Sequence, residues 1–272
     1  MDKSFRIALA SLLLAAGCSR SYQGERLLWR AQRAARSVLE QPNQASAEQA
    51  SQAIASLESV VREAAGTLPA AQAQLLIAYV HAARGQAQEA RAVYEQVLRT
   101  QSRQPRALLA AMTALAALEA GANDVAAAKK QLWDIAERFP WTDAGVQAPA
   151  EAARLEEQAA GRADADWERA VQWYVRKVAD APSPLFEAAL HDRLAAVYQH
   201  LERWEDARRE LEQLVQSKET SLNRAKVLYD LALLHSSRLG NSEKSRELLQ
   251  EIATRYPEDP FGRAAQARLD GK

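Results

Sequence analysis

Apolar and polar positions along this chain alternate with a helical period, and the pattern itself recurs. Six segments set a small residue, then an apolar residue four positions later, and in five of them another seven positions later. They begin at Ala53 (Leu57, Val60), Ala90 (Tyr94, Val97), Ala128 (Leu132, Ile135), Ala170 (Tyr174), Ala207 (Leu211, Leu214) and Ser245 (Leu249, Ile252). Ala170 departs from the rule, with Lys177 at plus seven and Val178 at plus eight. Successive starts lie 37, 38, 42, 37 and 38 residues apart. Offsets of four and seven share one face of an α-helix, and a small first residue lets a neighbouring helix come close. Upstream of each segment lies a second amphipathic stretch. Pro140, Pro182 and Pro257 close three of the units, where proline cannot continue a helix but suits the first turn of the next. One helix pair cannot bury its apolar face alone, so neighbouring pairs must stack on a shared core. The pattern predicts an all-α chain of about six helix pairs and a last helix from Pro260 to Leu269, apolar at Phe261, Ala264 and Leu269.

Two stretches carry more of the pattern than the rest. In 71–100, Ala78 stands twelve before Ala90 and Gly85 five before it. In 188–257, Ala195, Tyr198 and Trp204 stand twelve, nine and three before Ala207. This resembles the tetratricopeptide repeat, which sets small residues, aromatics and a turn glycine at such intervals. The resemblance covers about residues 22–270 and implies a tetratricopeptide-like α-solenoid. It is weaker at 22–65, where Pro42 and Asn43 lengthen a turn, and at 142–178, where about four extra residues sit near Gly161. The endings Glu137-Arg138-Phe139-Pro140 and Thr254-Arg255-Tyr256-Pro257 are similar to those of a bacterial envelope subset. The lipoprotein subunit of the outer-membrane β-barrel assembly machine and Tol–Pal-associated periplasmic repeat proteins belong to that subset.

Residues 1–17 follow another logic. Lys3 and Arg6 precede an apolar run of 11 residues, Ile7 to Gly17. Such a run is too short to span a bilayer, which takes roughly 20 residues, and fits a secretory signal. Leu14-Ala15-Ala16-Gly17-Cys18 resembles a lipobox. The resemblance implies cleavage after Gly17 and acylation of Cys18, with residues 18–21 as a short tether and 22–272 as the body. Cys18 is the only cysteine, so the body has no intrachain disulfide.

Composition narrows the choices. The chain of 272 residues has 58 Ala, only 10 Gly and 9 Pro, and equal numbers (35 each) of basic and acidic residues. Abundant Ala with few breakers favours helix. Zero net charge argues against a nucleic-acid binder, which needs basic charge to displace counterions. His81, His191, His200 and His235 are scattered and form no metal-ligand spacing, and no phosphate-binding loop or nucleophile-elbow signature occurs. No metal, cofactor or catalytic residue is expected. His81, Trp167 and Trp204 occupy positions where the repeat packs an aromatic; Trp141, in a connection, fits that reading least.

Two surfaces remain. Arg26, Arg30 and Arg33 share one stripe of the first helix, and Arg20 stands beside Cys18. They read either as a basic face resting on anionic headgroups, each charge contributing about 1 kcal/mol, or as an ordinary solvated face. In tetratricopeptide folds the first helix of each pair lines a concave surface. The resemblance places Leu75, Tyr79, Thr113, Ala117, Asp192, Ala196, Gln199, Lys226 and Tyr229 there as partner-binding candidates. The Lys/Asn set with which some relatives hold a terminal carboxylate is missing, since Leu76, Ala114 and Arg193 stand at those positions. The expected function is a non-enzymatic, membrane-anchored scaffold for cell-envelope proteins, in outer-membrane assembly or envelope maintenance. Ser19 stands where some bacterial sorting systems read Asp as an inner-membrane retention signal, which favours the outer membrane, with the body facing the periplasm. The alternative is an accessory cell-wall or polysaccharide-binding protein, which open aromatic rings on the concave face would favour.

Overall fold

The computed structural model describes residues 22–101 and 103–271, which form helices and no strand. Cys18, Arg20, the expected signal segment and the tether lie outside the described residues. The chain divides into two compact units, Met1–Gln131 and Leu132–Lys272. No helix among the described residues is long and apolar enough to cross a membrane.

The first unit holds α1 (22–34), α2 (Arg36–Glu40), α3 (Ala47–Glu63), α4 (Leu68–Ala83), α5 (Ala87–Thr100), α6 (Pro105–Gly121) and the start of α7 (Val125–Arg138). The second holds the rest of α7, then α8 (Asp143–Ala160), α9 (Asp164–Ala179), α10 (Pro184–His200), α11 (Trp204–Gln216), α12 (Arg224–Ser237), α13 (Ser242–Arg255) and α14 (Pro260–Leu269). Among the described residues fourteen segments stand where thirteen helices are expected, because the first is interrupted at Ala35. The interruption is slight. The amides of Ala35 and Leu39 still donate to the carbonyls of Ala31 and Ala35 at 2.9 Å.

The six repeat positions, Ala53, Ala90, Ala128, Ala170, Ala207 and Ser245, are each at most 5% exposed. Their partners four and seven residues on, from Leu57 and Val60 to Leu249 and Ile252, are buried too. At the irregular repeat, Lys177 and Val178 are both half-buried. The Lys177 stem lies along the aromatic cluster, with its ammonium 5.7 Å from the Trp173 ring.

The turn within a pair has a fixed place in the frame. Five residues before Ala90, Ala128, Ala207 and Ser245 stand Gly85, Asn123, Glu202 and Gly240, with φ of 75°, 60°, 57° and 65°. This left-handed conformation ends the first helix and aims the chain into the second. Glycine adopts it freely; Asn123 and Glu202 do so against the clash of a Cβ.

The long turn within the first pair and the connections between later pairs are held differently. In the first unit, Ser46 and Gln49 form a reciprocal capping box at the start of α3. Arg84 reaches back to donate to the carbonyls of Pro42 and Ala45 at 3.1 and 2.8 Å, fixing the long first turn. In the second unit, two joints are alike. A Cβ on Gly145 would lie 2.0 Å from the Phe139 carbonyl oxygen, and one on Gly262 would lie 1.8 Å from that of Tyr256. Each helix starts with bare backbone against the last carbonyls of its predecessor. Consequently α14 seats itself through Gly262 and Ala265, while Phe261, Ala264 and Leu269, expected as its apolar face, stay half-exposed.

Candidate functional site

Within the second unit, α8 packs on α10 and α12 packs on α14, but α10 and α12 do not approach each other as closely. A cleft of about 610 Å³ occupies the space between them. Its lining follows from helical spacing. Asp192, Ala195, Ala196 and Gln199 come from successive turns of α10, and Lys226, Asp230, Leu233 and Ser237 from successive turns of α12. Small and aliphatic side chains make the floor, and the polar ones stand at the rim. His200, Trp204 and Arg238 line the cleft as well. The Arg238 guanidinium sits 4.7 Å from the centre of the Trp204 ring.

The rim is charged but internally matched. Lys226 Nζ donates to Asp230 Oδ2 at 2.7 Å along α12. That hydrogen bond, with the charges of Asp230 and of Asp192 across the cleft, holds the Lys226 amine above its ordinary range against the opposing effect of burial. The ammonium therefore stays charged. The Ser237 hydroxyl donates to its own helix at the Leu233 carbonyl, 2.7 Å away. Nothing in this arrangement poises a nucleophile. No group of three His, Cys, Asp or Glu suited to a metal ion occurs among the described residues.

The inner surface continues past His200. A second hollow of about 400 Å³ lies between α8 and α10, lined by Ala150, Arg154, Glu157, Trp167 and Arg193 and sharing Ala196 and His200 with the first. His200 stacks on the buried Trp167 with ring centres 4.3 Å apart, and its Nε2 lies 3.0 Å from Glu157 Oε1. One strip of small residues edged by charges thus runs over α8, α10 and α12.

The expected partner-binding residues separate by unit. Asp192, Ala196, Gln199 and Lys226 line the one cleft. Tyr229 is half-buried and its ring lies 5.6 Å from Phe261 of α14. In the first unit, Tyr79, Thr113 and Ala117 are exposed, and Leu75 packs partly against the cluster around Ala78 and Tyr94. Asp230 and Arg238, which complete the rim, escaped the sequence reading, although Asp230 follows Lys226 at the four-residue spacing that brings side chains together. Trp167 is buried as expected of a packed ring, whereas Trp204 is half-buried and belongs to the cleft wall. Trp141 is half-buried, 5.9 Å from Phe186. His81 bonds Gln86 at 2.9 Å, and His191 bonds Glu210 at 2.6 Å. The basic residues Arg26, Arg30 and Arg33 of α1 are all exposed.

Residues 186–258 and 72–101 match models of the tetratricopeptide repeat. These are the stretches where the repeat spacing is most complete, and the cleft lies in the first of them. No curated protein matches the chain significantly. Among solved structures, the thermophilic tetratricopeptide-repeat protein TTC0263 of Thermus thermophilus is similar at 21% identity, over 73% of this chain and 99% of that one, with a TM-score of 0.41. PilF of Pseudomonas aeruginosa is similar at 13% identity, over 90% and 99% of the two chains, with a TM-score of 0.41. BtubC of P. vanneervenii is similar at 15% identity, over 92% and 93%, with a TM-score of 0.44. The described residues are helical, and two stretches of them, 72–101 and 186–258, are tetratricopeptide repeats, units that present extended surfaces to protein partners.

Proposed function

We propose that the chain is a non-enzymatic scaffold, lipid-anchored through Cys18, that holds segments of other cell-envelope proteins along the strip over α8, α10 and α12. The observation that carries this reading is the cleft between α10 and α12. Its floor of Ala195, Ala196 and Leu233 leaves room for a peptide, and Asp192, Lys226 and Asp230 offer charges of both signs at its rim. A segment bearing both signs complements it. The anchor rests on the sequence Leu14 to Cys18, and placement at the outer membrane, facing the periplasm, rests on Ser19. A role in outer-membrane assembly or envelope maintenance rests on the resemblance of the repeat endings. The polysaccharide reading needs open rings. Along this strip Trp204 is covered on one face by Arg238 and Trp167 lies buried beneath His200, so the protein-segment reading is preferred there; the open ring among the concave-face candidates is Tyr79, in the first unit.

The test is photo-crosslinking in living cells from Gln199, with mapping of the adduct. The expected product is one envelope-protein segment, lost in an Ala196→Arg variant that fills the cleft. Ala196 is exposed, so that variant should melt within about 0.5 kcal/mol of the parent. An adduct that survives Ala196→Arg would place binding outside the cleft. Membrane fractionation of Cys18→Ser tests the anchor separately; a variant still bound after a salt wash would overturn it.

A further inference from the structure

The first helix has two faces of opposite character. Gly24, Leu28, Ala31 and Ala35 are buried. A Cβ on Gly24 would stand 3.0 Å from Ala64 and 3.2 Å from Pro69, so this side is pressed onto the body and the helix cannot roll. At about 100° per residue, the opposite side is a stripe of Tyr22, Arg26, Trp29 and Arg33, spaced four, three and four residues apart. Tyr22 is 62% exposed and Trp29 57%, more than any other large apolar side chain among the described residues. Arg30 flanks the stripe. Among the described residues no ion pair engages Arg26, Arg30 or Arg33, whereas Arg36 is matched with Glu40 at 2.8 Å. The Arg33 guanidinium lies 4.9 Å from the centre of the Trp29 ring, which keeps an aromatic and a cation together at one outward spot.

We propose that this stripe is an interfacial contact that lays α1 on the headgroups of an anionic lipid bilayer. Tyr and Trp prefer the zone between hydrocarbon and water, because each has an apolar ring and a polar tip. Arginines beside them meet lipid phosphates, and each basic residue near such a surface adds to the attraction. The stripe itself has charge of one sign and rings but no exposed aliphatic side chain, with Glu25 flanking it opposite Arg30, a makeup suited to headgroups more than to the core of a protein interface. Proximity agrees, on the reading that Cys18 is lipid-anchored. Three residues stand between it and Tyr22, so the four-step span reaches at most about 14 Å. The stripe would then set the angle at which the repeats leave the membrane.

The test uses the full chain carrying Cys18→Ser, so that no lipid is attached. Partition is measured into phosphatidylcholine vesicles with and without phosphatidylglycerol; the neutral vesicles report the background from residues 7–17. The chain should prefer the anionic vesicles. At roughly fivefold per basic residue, the combined Arg26→Gln, Arg30→Gln, Arg33→Gln variant should lose that partition by about a hundredfold while melting normally. Brominated lipid should quench a fluorescence component that Trp29→Phe removes. Equal binding to both vesicle types, an unaffected triple variant, or an unquenched Trp29 would each overturn the proposal. So would a triple variant that partitions normally but loses a co-purifying protein, since the stripe would then be a protein interface. None of these outcomes bears on the cleft or on Cys18, which are read by crosslinking and by fractionation.

Discussion

In the first unit, α4 buries Ala70, Ala71, Ala73 and Ala78, and α6 buries Ala107, Ala111 and Ala116. In the second, α8 likewise buries Ala148, Ala150, Ala152 and Ala153, but the second helices α7 and α9 bury Trp133, Trp167, Trp173 and Tyr174, and α10 buries Tyr198. Among the described residues the second unit thus buries five large rings, and the first buries one, Tyr94. Polar groups follow suit. The first unit buries them as satisfied pairs: Gln101 donates to Gln74 at 2.8 Å, and Arg91 to the buried Glu119. In the second, the indole N–H groups of Trp133, Trp167 and Trp173 are buried without a partner, which offsets part of what the rings contribute. Alanine faces let α4 and α6 pack directly, while α10 and α12 stand apart with Trp204 on the wall between them. A repeat frame sets the order of helices, yet neighbouring first helices close on each other at α4 and α6 and at α8 and α10, and stand apart at α10 and α12.

The strongest way to break this comparison is to remove a ring. Trp173 is fully buried, edge-on to Tyr174 with ring centres 5.3 Å apart. Trp173→Ala should cost about 3–5 kcal/mol in urea unfolding, whereas Ala78→Gly in the first unit should cost about 1 kcal/mol. Equal losses would mean that rings and alanines support their units alike.

Two glycines sharpen it next. Gly262→Ala forces a methyl onto the Tyr256 carbonyl and should cost about 1–3 kcal/mol or somewhat more. Gly121→Ala, at the end of α6 with open space around it, should be neutral or gain up to about 1 kcal/mol. A costly Gly121→Ala would show that the first unit is as tight at its ends as the second.

Smaller effects separate the two candidate tyrosines. Tyr79 is 45% exposed, and Tyr79→Ala should stay within about 0.5 kcal/mol of the parent in thermal melts. Tyr229→Ala loses the ring pair with Phe261 and should cost about 0.5–1.5 kcal/mol beyond its lost burial. The same cost at both positions would put Tyr79 in the core.

The least effect is a pH dependence in the second unit. Burial, reinforced by Arg208 and Lys244 and opposed by Glu212 and Glu205, pushes His235 below the ordinary histidine value. Its Nδ1 is buried without a partner. The unfolded chain then binds a proton that the folded chain refuses, so stability falls as pH drops through about 6.5. His235→Gln should flatten this slope in urea midpoints taken on either side of that value. A slope that survives the substitution would assign it to another group.

Much of the frame was legible in the chain itself. Spacings of four and seven from a small residue located the buried seam at every repeat, because an α-helix turns those offsets onto one face. The tetratricopeptide resemblance, not the spacing, put Asp192, Ala196, Gln199 and Lys226 on one surface, and they line one cleft. Turns were legible only in part. Gly85 announces a left-handed residue, but Asn123 and Glu202 take the same conformation without glycine, since the connection between packed helices dictates it. The wider spacing of α10 and α12 arises from how side chains of three helices fit together, which no single helix's pattern encodes. On α1 the arginines stood out by charge, and the exposure of Tyr22 and Trp29 adds two rings to the same stripe, opposite the seam.

The paired joints at Gly145 and Gly262 carry an evolutionary consequence. Both set an aromatic–proline step before a glycine five residues on, and both use bare backbone as the mating surface. Such a connector depends little on which side chains the adjoining pairs carry. Genetic duplication or exchange of the segment between two like connectors can lengthen or reshuffle the array while each new boundary inherits a joint that already fits. Recognition surfaces on the outer and inner faces are then free to diversify, because continuity of the array does not depend on them.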